Sequence, residues 1–331
     1  MRQRNRSLKN PIIAGAALAV LAPFLISGQQ SKPPEAPPAD DAVFTTDTRL
    51  VPLNVTVNDK AGHLVTNLPQ SAFQVYEGGV LQQIKLFKRE DVPVSLGLII
   101  DNSGSMREKR QGVESAALAL VKDSNKQDEV FIINFNDVAY MDQDFTSDIS
   151  MMEKGLTKID SRGGTAMRDA IQLSVEHLKE RAKRDKKVIL VVTDGNDNAS
   201  QISLDSLARL AQQDDVLIYA IGLLSEEDKR EAKKAQRALQ LLTENTGGTV
   251  FYPKEVSEVD RIAHQVARDI RNQYTIAYTP SNPALDGTYR QIKVAVKAPG
   301  NPIARTRSGY YATKDQQKAA PRNQALTPSL R

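Results

Sequence analysis

No cysteine and no tryptophan occur in the 331 residues, and there are only three histidines, His63, His177 and His264. Without cysteine there is no disulfide, no thiolate metal site and no cysteine nucleophile. None of the histidines has a partner at metal-ligand or triad spacing, so surface or packing roles are expected of all three. Charge of one sign is missing too. Lys and Arg number 44 against 40 Asp and Glu, and Arg2, Arg4, Arg6 and Lys9 in the first ten residues account for the difference. The pI near 9.0 is therefore a property of the N-terminus and gives no ground for nucleic-acid binding. No G-x-x-x-x-G-K-[ST] loop, G-x-G-x-x-G turn or G-x-S-x-G elbow is found, which leaves nucleotide binding and α/β-hydrolase chemistry unsupported.

What is present is an ordinary globular composition, 40% hydrophobic and 25% charged. The basic start is followed by "PIIAGAALAVLAPFLI", apolar but short for a bilayer span, with Ser27 and Gly28 after it. Residues 1–28 are expected to be a signal peptide. An uncleaved N-terminal anchor is the alternative, and the only expected route to a membrane. The protein is then exported: periplasmic, envelope-bound or secreted. Residues 29–47, with "SKPPEAPPADDA", are expected to form a Pro-rich linker, and the polar stretch 314–331 a disordered tail.

Between these the hydrophobic pattern changes twice. Residues 48–91 alternate apolar and polar, with turns at Asn58–Gly62 and Glu77–Gly79, and read as β structure. From 92 to 273 nearly continuous apolar runs ("VSLGLIID", "VFIINF", "KVILVVTD", "VLIYAIGL") alternate with amphipathic stretches. That pattern predicts an α/β, doubly wound and mostly parallel sheet with both faces covered. Residues 274–313 return to alternation. Neither β stretch has enough strands to close a core alone. The expected arrangement is one small β-sandwich built from both, with the Rossmann-like α/β domain inserted between them.

Two of the buried runs end in a carboxylate, at Asp101 and Asp194. In such a sheet, ligands sit outside the carboxyl ends of the strands where the winding reverses. If those two strands are neighbours, the carboxylates stand about one strand spacing, roughly 5 Å, apart. Like charges that close repel, and a divalent cation removes the conflict. Ser103 and Ser105 alternate on the loop after Asp101, and Thr165 follows the Gly163-Gly164 pair. Three hydroxyls and two carboxylates suit Mg²⁺, with Mn²⁺ or Ca²⁺ as alternatives. The candidate metal ligands are thus Asp101, Ser103, Ser105, Thr165 and Asp194. Asp197 and Asn198 are candidates for shaping the loop, Asp169 for stabilising a helix start, and Asp137 and Asp142 are expected to be solvated. The basic run Lys179–Lys187 is expected to be a solvated helix end.

D-x-S-x-S at Asp101-Ser103-Ser105, Thr165 after a glycine pair and "TDG" at Asp194 together resemble the metal-ion-dependent adhesion site of von Willebrand factor A domains, over about Val92 to Gln273. The flanking β stretches resemble those of exported bacterial, acidobacterial-type proteins with a related domain. The resemblance implies a non-catalytic, Mg²⁺-dependent protein-binding or adhesion module whose partner, an unknown protein, offers a carboxylate to the metal. Two alternatives stand beside it. One is a structural envelope protein whose metal only stabilises the fold. The other is a Mg²⁺-dependent phosphoryl-transfer enzyme, which needs a second acid two residues after the strand-end aspartate, where Ser103 stands.

Overall fold

The continuous apolar runs in the middle of the chain become the strands of one central sheet. The computed structural model describes residues 50–314, apart from 90, 123–124, 157–161 and 225–227. The expected leader (1–28), linker (29–47) and all but the first residue of the expected tail lie outside the described residues. Among the described residues no helix is long and apolar enough to cross a membrane.

Four strands open the chain: β1 (Val51–Asn58), β2 (Phe73–Glu77), β3 (Val80–Gln82) and β4 (Ile84–Lys88). The α/β layer follows with β5 (Val94–Asp101), α1 (Arg110–Lys122), β6 (Glu129–Phe135), β7 (Ala139–Thr146), α2 (Ile149–Leu156) and α3 (Met167–Arg181). It continues through β8 (Lys186–Thr193), α4 (Leu204–Gln213), β9 (Val216–Gly222), α5 (Lys229–Thr246), β10 (Val250–Phe251) and α6 (Val259–Arg271). β11 (Tyr274–Tyr278), β12 (Tyr289–Val296), β13 (Ile303–Arg305) and β14 (Gly309–Tyr311) complete it.

The central sheet has the order β10-β9-β8-β5-β6-β7, parallel except for β7, which runs antiparallel at the edge. Its alternation sorts side chains to two faces. Leu96, Leu98 and Ile100 of β5 pack with α1, α2 and α6, while Ile99 packs with α3, α4 and α5. This is the expected doubly wound α/β architecture. The helix α2 was not expected; its eight residues lie in a stretch too short to show a helical period.

Outside this layer are two four-stranded antiparallel sheets, β13-β1-β11-β4 and β14-β12-β2-β3. Strands from before and after the α/β layer alternate in both, and their apolar faces share one core that includes Val55, Val75, Tyr274, Ile276 and Val294. The hairpin expected around Asn58–Gly62 is only a single bridge, Asn58 to Leu64. Both edges of β1 are already taken by β11 and β13, so its sequence neighbour has no free edge to pair with.

The C-terminal tyrosines pack across strands as expected. Tyr289 and Tyr311 face each other with ring centroids 5.2 Å apart. The hydroxyls of Tyr278 and Tyr310 both donate to the buried Glu77 carboxylate, at 2.7 and 3.0 Å. His177 takes a packing role: its ring stacks on Phe145, 4.9 Å between centroids, and its Nε2 meets Asp144 at 2.9 Å. One polar residue departs from expectation. Lys186, inside the basic run, is buried, and its ammonium donates to the carbonyl of Ile270 at the end of α6. Burial lowers its pKa to about 7.

Asp269, on α6, is another buried charge. Neither carboxylate oxygen accepts a hydrogen bond, and Arg305 Nη2 stands 3.5 Å away. Burial raises its pKa from 3.8 to about 6, against the opposing pull of Arg305 and Arg268. The folded chain therefore holds this proton more tightly than the unfolded chain. The stability so gained is fully present below about pH 4 and is lost as pH rises through about 6. Asp269→Asn should raise stability at pH 7.5 by about 1–3 kcal/mol and change little at pH 4. Thermal melts of both proteins across that range are the check.

Candidate functional site

β5 and β8 are neighbours, with Ile100 level with Val192, so the next residues, Asp101 and Thr193, and then Asp194, emerge together at the carboxyl edge. The chain leaves β5 toward β6 on one side and returns as β8 on the other. That is the point where the winding reverses and an open α/β sheet forms its crevice.

The two carboxylates are taken almost wholly out of water: Asp101 is 0% exposed and Asp194 7%. Asp101 Oδ1 accepts the Ser103 backbone N–H at 2.8 Å, and Oδ2 accepts the Thr193 hydroxyl at 2.5 Å. Burial raises the Asp101 pKa, Asp194 adds to the rise, and the hydrogen bonds from Ser103 and Thr193 oppose it. The Ser103 and Ser105 hydroxyls are 3.2 Å apart, and Ser105 donates to Asp194 Oδ1 at 2.8 Å. The Ser103 and Ser105 hydroxyls and Asp194 thus form one hydrogen-bonded row of oxygens, and Asp101 joins it through the Ser103 backbone N–H. Gly104 lies between the serines at the start of a short 3₁₀ turn whose Met106 is buried in the core.

Thr165 arrives on a third loop. A Cβ at Gly195 would stand 3.7 Å from Thr165 Oγ1, so this hydroxyl borders the residue after Asp194. Gly163 has φ +76°, and a Cβ there would meet Asp137 Oδ2 at 2.1 Å; only glycine lets this loop come so close. Asp137 is not simply solvated. Its Oδ1 accepts the Gly164 N–H at 2.7 Å. Asn198 Oδ1 accepts the Thr165 N–H at 2.9 Å, while Asn198 N–H donates to Thr165 O. Asp197 accepts the N–H of Arg168 at 2.7 Å in the first turn of α3 and pairs with the Arg168 guanidinium at 3.2 Å. Asp169, expected only to favour the helix start, also accepts the N–H groups of Gln201 and Ile202. The loop after β8 and the loop before α3 therefore fix each other. Asp142 accepts from Asn134 and is not merely solvated either. Asn102 is buried and joins Arg110 to Tyr140 through its side chain.

Sequence reasoning missed two residues that touch the carboxylates. Thr193 precedes Asp194 in the same strand end and caps Asp101. Lys109 places its ammonium 2.6 Å from Asp194 Oδ2. No motif spacing pointed to Lys109; the one signal was a lysine one turn past Ser105. The histidines lie elsewhere, His63 on Asp59, His177 on Asp144 and His264 on Asp260.

Among the described residues no three acidic, histidine or cysteine side chains gather at one point. The site has two carboxylates and hydroxyls, all hard oxygen donors. That set fits Mg²⁺, which takes few charged ligands and keeps water or an outside oxygen in its shell. It does not fit zinc's usual nitrogen and sulfur donors.

Fold and site define an oxygen-lined crevice at the switch point of a doubly wound sheet. Residues 96–196, within the α/β layer, match the von Willebrand factor type A domain family. An uncharacterized protein of Synechocystis is 22% identical over 185 residues, 55% of this chain and 42% of its own length. An uncharacterized protein of Borreliella burgdorferi is 32% identical over 106 residues, 31% of each chain. The chain thus spans less than half the length of these curated relatives. Among solved structures, proximal thread matrix protein 1 from the mussel byssus, with a zinc-occupied metal-ion-dependent adhesion site motif, has a TM-score of 0.48. It is 16% identical, over 59% of this chain and 49% of that one. Domains of this family are in general protein-interaction modules.

Proposed function

We propose that this protein is an exported, non-catalytic binding module that captures an acidic group of a partner protein through a divalent cation, most favourably Mg²⁺. The observation that supports it is the gathering of the Asp101 and Asp194 carboxylates and the Ser103 and Ser105 hydroxyls in one hydrogen-bonded cluster at the sheet's switch point. These residues, with Thr165, would hold the ion. When bound, the ion supplies an electrophilic point charge that takes a carboxylate oxygen from outside. The protein's own residues do the rest. Thr193 and the Ser103 N–H orient Asp101. Asn198 and Asp137 hold the loop that carries Thr165. Export rests on the basic, apolar N-terminal sequence.

The test is thermal unfolding of the whole protein with added Mg²⁺. At one hundred times Kd, binding to the folded state is worth about 2.7 kcal/mol, which is about 5–10 °C in Tm for a domain of this size. EDTA should reverse the shift. No heat of binding and no shift with Mg²⁺, Mn²⁺ or Ca²⁺ would remove the proposal. The depth of the two carboxylates favours a second reading, in which the ion only stabilises the fold. In that case EDTA lowers Tm but leaves an assembled partner complex intact.

A further inference from the structure

Asp194 divides its two oxygens between unlike partners. Oδ1 takes the Ser105 hydroxyl; Oδ2 takes Lys109, at 2.6 Å. The Lys109 side chain is 28% exposed and that of Asp194 only 1%, so the ammonium covers the buried carboxylate from the solvent side. Its position is set by the backbone. Lys109 N–H donates to Met106 O, Val113 N–H donates to Lys109 O at the entry to α1, and the ammonium also reaches Leu223 O at 3.3 Å. The same side chain lines a cleft of about 520 Å³ with Gly104, Ser105, Arg107, Glu108 and Val256. A cation therefore sits between the carboxylate and the cleft's open space.

We infer that Lys109 is a built-in counter-ion of this site. It weakens the hold of the two aspartates on a dication and makes retention of the ion depend on an anion from the partner. This rests on the metal-binding reading above. Asp101 and Asp194 bring two negative charges, and Lys109 cancels one of them. A dication that takes Asp194 either shares it with the ammonium or displaces the ammonium into the cleft. Shared, the carboxylate holds two cations at short range in a poorly solvated setting, where their repulsion is strong; displaced, the ammonium gives up its ion pair with Asp194. A carboxylate arriving from a partner restores the missing negative charge. Ion and partner are then captured together. When Lys109 is displaced, its four-carbon stem lets the ammonium turn toward the same carboxylate.

The experiment titrates Mg²⁺ alone into the wild type, Lys109→Gln, Lys109→Arg and Asp101→Ala, by calorimetry, with Tm of each metal-free protein measured in parallel. Gln is one bond shorter but keeps a donor for Asp194 and removes the charge; Arg keeps the charge. Lys109→Gln should bind Mg²⁺ at least about tenfold more tightly than the wild type. Its metal-free Tm should fall, because Asp194 loses its counter-charge. Lys109→Arg should stay near the wild type in both. Added acetate should tighten Mg²⁺ binding more in the wild type than in Lys109→Gln. Equal or weaker binding by Lys109→Gln, with the wild type binding and Asp101→Ala not, overturns it and leaves the metal site standing. Absence of binding in all four proteins overturns both.

Discussion

Asp101→Ala is expected to abolish the Mg²⁺-induced rise in Tm and to lower Mg²⁺ affinity by more than about 100-fold, since even outer-shell partners of metal ligands are worth 10–100-fold. The same substitution should cost the metal-free protein little. Asp101 is wholly buried, and burial together with the neighbouring Asp194 disfavours its charged form. Removing it takes away that repulsion, and this offsets the loss of the acceptor that serves the Ser103 N–H and the Thr193 hydroxyl. The two effects separate a ligand from a structural residue. A residue that only supports the loop would lower Tm equally with and without Mg²⁺. Asp101→Asn sharpens the comparison, because it keeps an acceptor for Thr193 while discarding the charge. Calorimetry, and melts with and without excess EDTA, are the measurement. An undiminished Mg²⁺ shift in Asp101→Ala would remove Asp101 from the site.

The part of the site that was legible in the sequence is the part carried by strand ends. β5 and β8 are buried on both faces, so they appear as unbroken apolar runs, and the polar residue that ends each run is conspicuous. Asp101 and Asp194 stood out for that reason, and Ser103 and Ser105 followed by alternation. The doubly wound layer was legible on the same grounds. Lys109 and Thr193 were not, because their roles depend on which atoms meet across β5, β8 and the start of α1, and neither has a distinctive spacing. The supports of Thr165 were only partly visible: Asn198 was a candidate for shaping its own loop, and Asp137 was expected to be solvated. Asp137 and Asn198 reach the loop from 27 and 33 residues away in sequence, and loop contacts of that range leave no periodic trace. In the sandwich the composition announced strands without their partners. β1 pairs with β11 across the whole inserted layer, and only the shared apolar core around Tyr274 and Val55 explains why the nearer hairpin partner loses.

Gly248→Ala should be among the most damaging substitutions in the α/β layer. A Cβ at this position would stand 1.8 Å from Ile218 O and 2.6 Å from Ile218 C, both backbone atoms of β9. No rotamer change relieves that, because the atoms in the way belong to a strand paired to β8 on one side and β10 on the other. The chain cannot simply move outward either. Gly247, with φ +91°, ends α5 in the left-handed region and lies against the backbone of Thr306 and Arg307 in the sandwich segment, with contacts that would be 2.6–2.7 Å from its own Cβ. Both glycine N–H groups donate to Thr243 O at 2.9 Å, so any shift also uncaps the helix. Arg307, just beyond, ties this junction to Asp215 at 2.8 Å and to the Pro52 carbonyl at 2.8 Å. Disturbing the turn therefore loosens the sandwich from the α/β layer as well as β9 from α5. The expected cost is more than about 4 kcal/mol, in the range reserved for overpacking against an immobile neighbour, seen as a Tm lower by more than about 10 °C or failure to accumulate folded. Gly287→Ala is the matched control. Gly287 also has positive φ, +73°, but nothing lies within 4 Å of its Cβ position, so it should cost only the left-handed strain of about 1–2 kcal/mol. If the two variants melt together, the close approach of the α5 terminus to β9 is not what holds this junction.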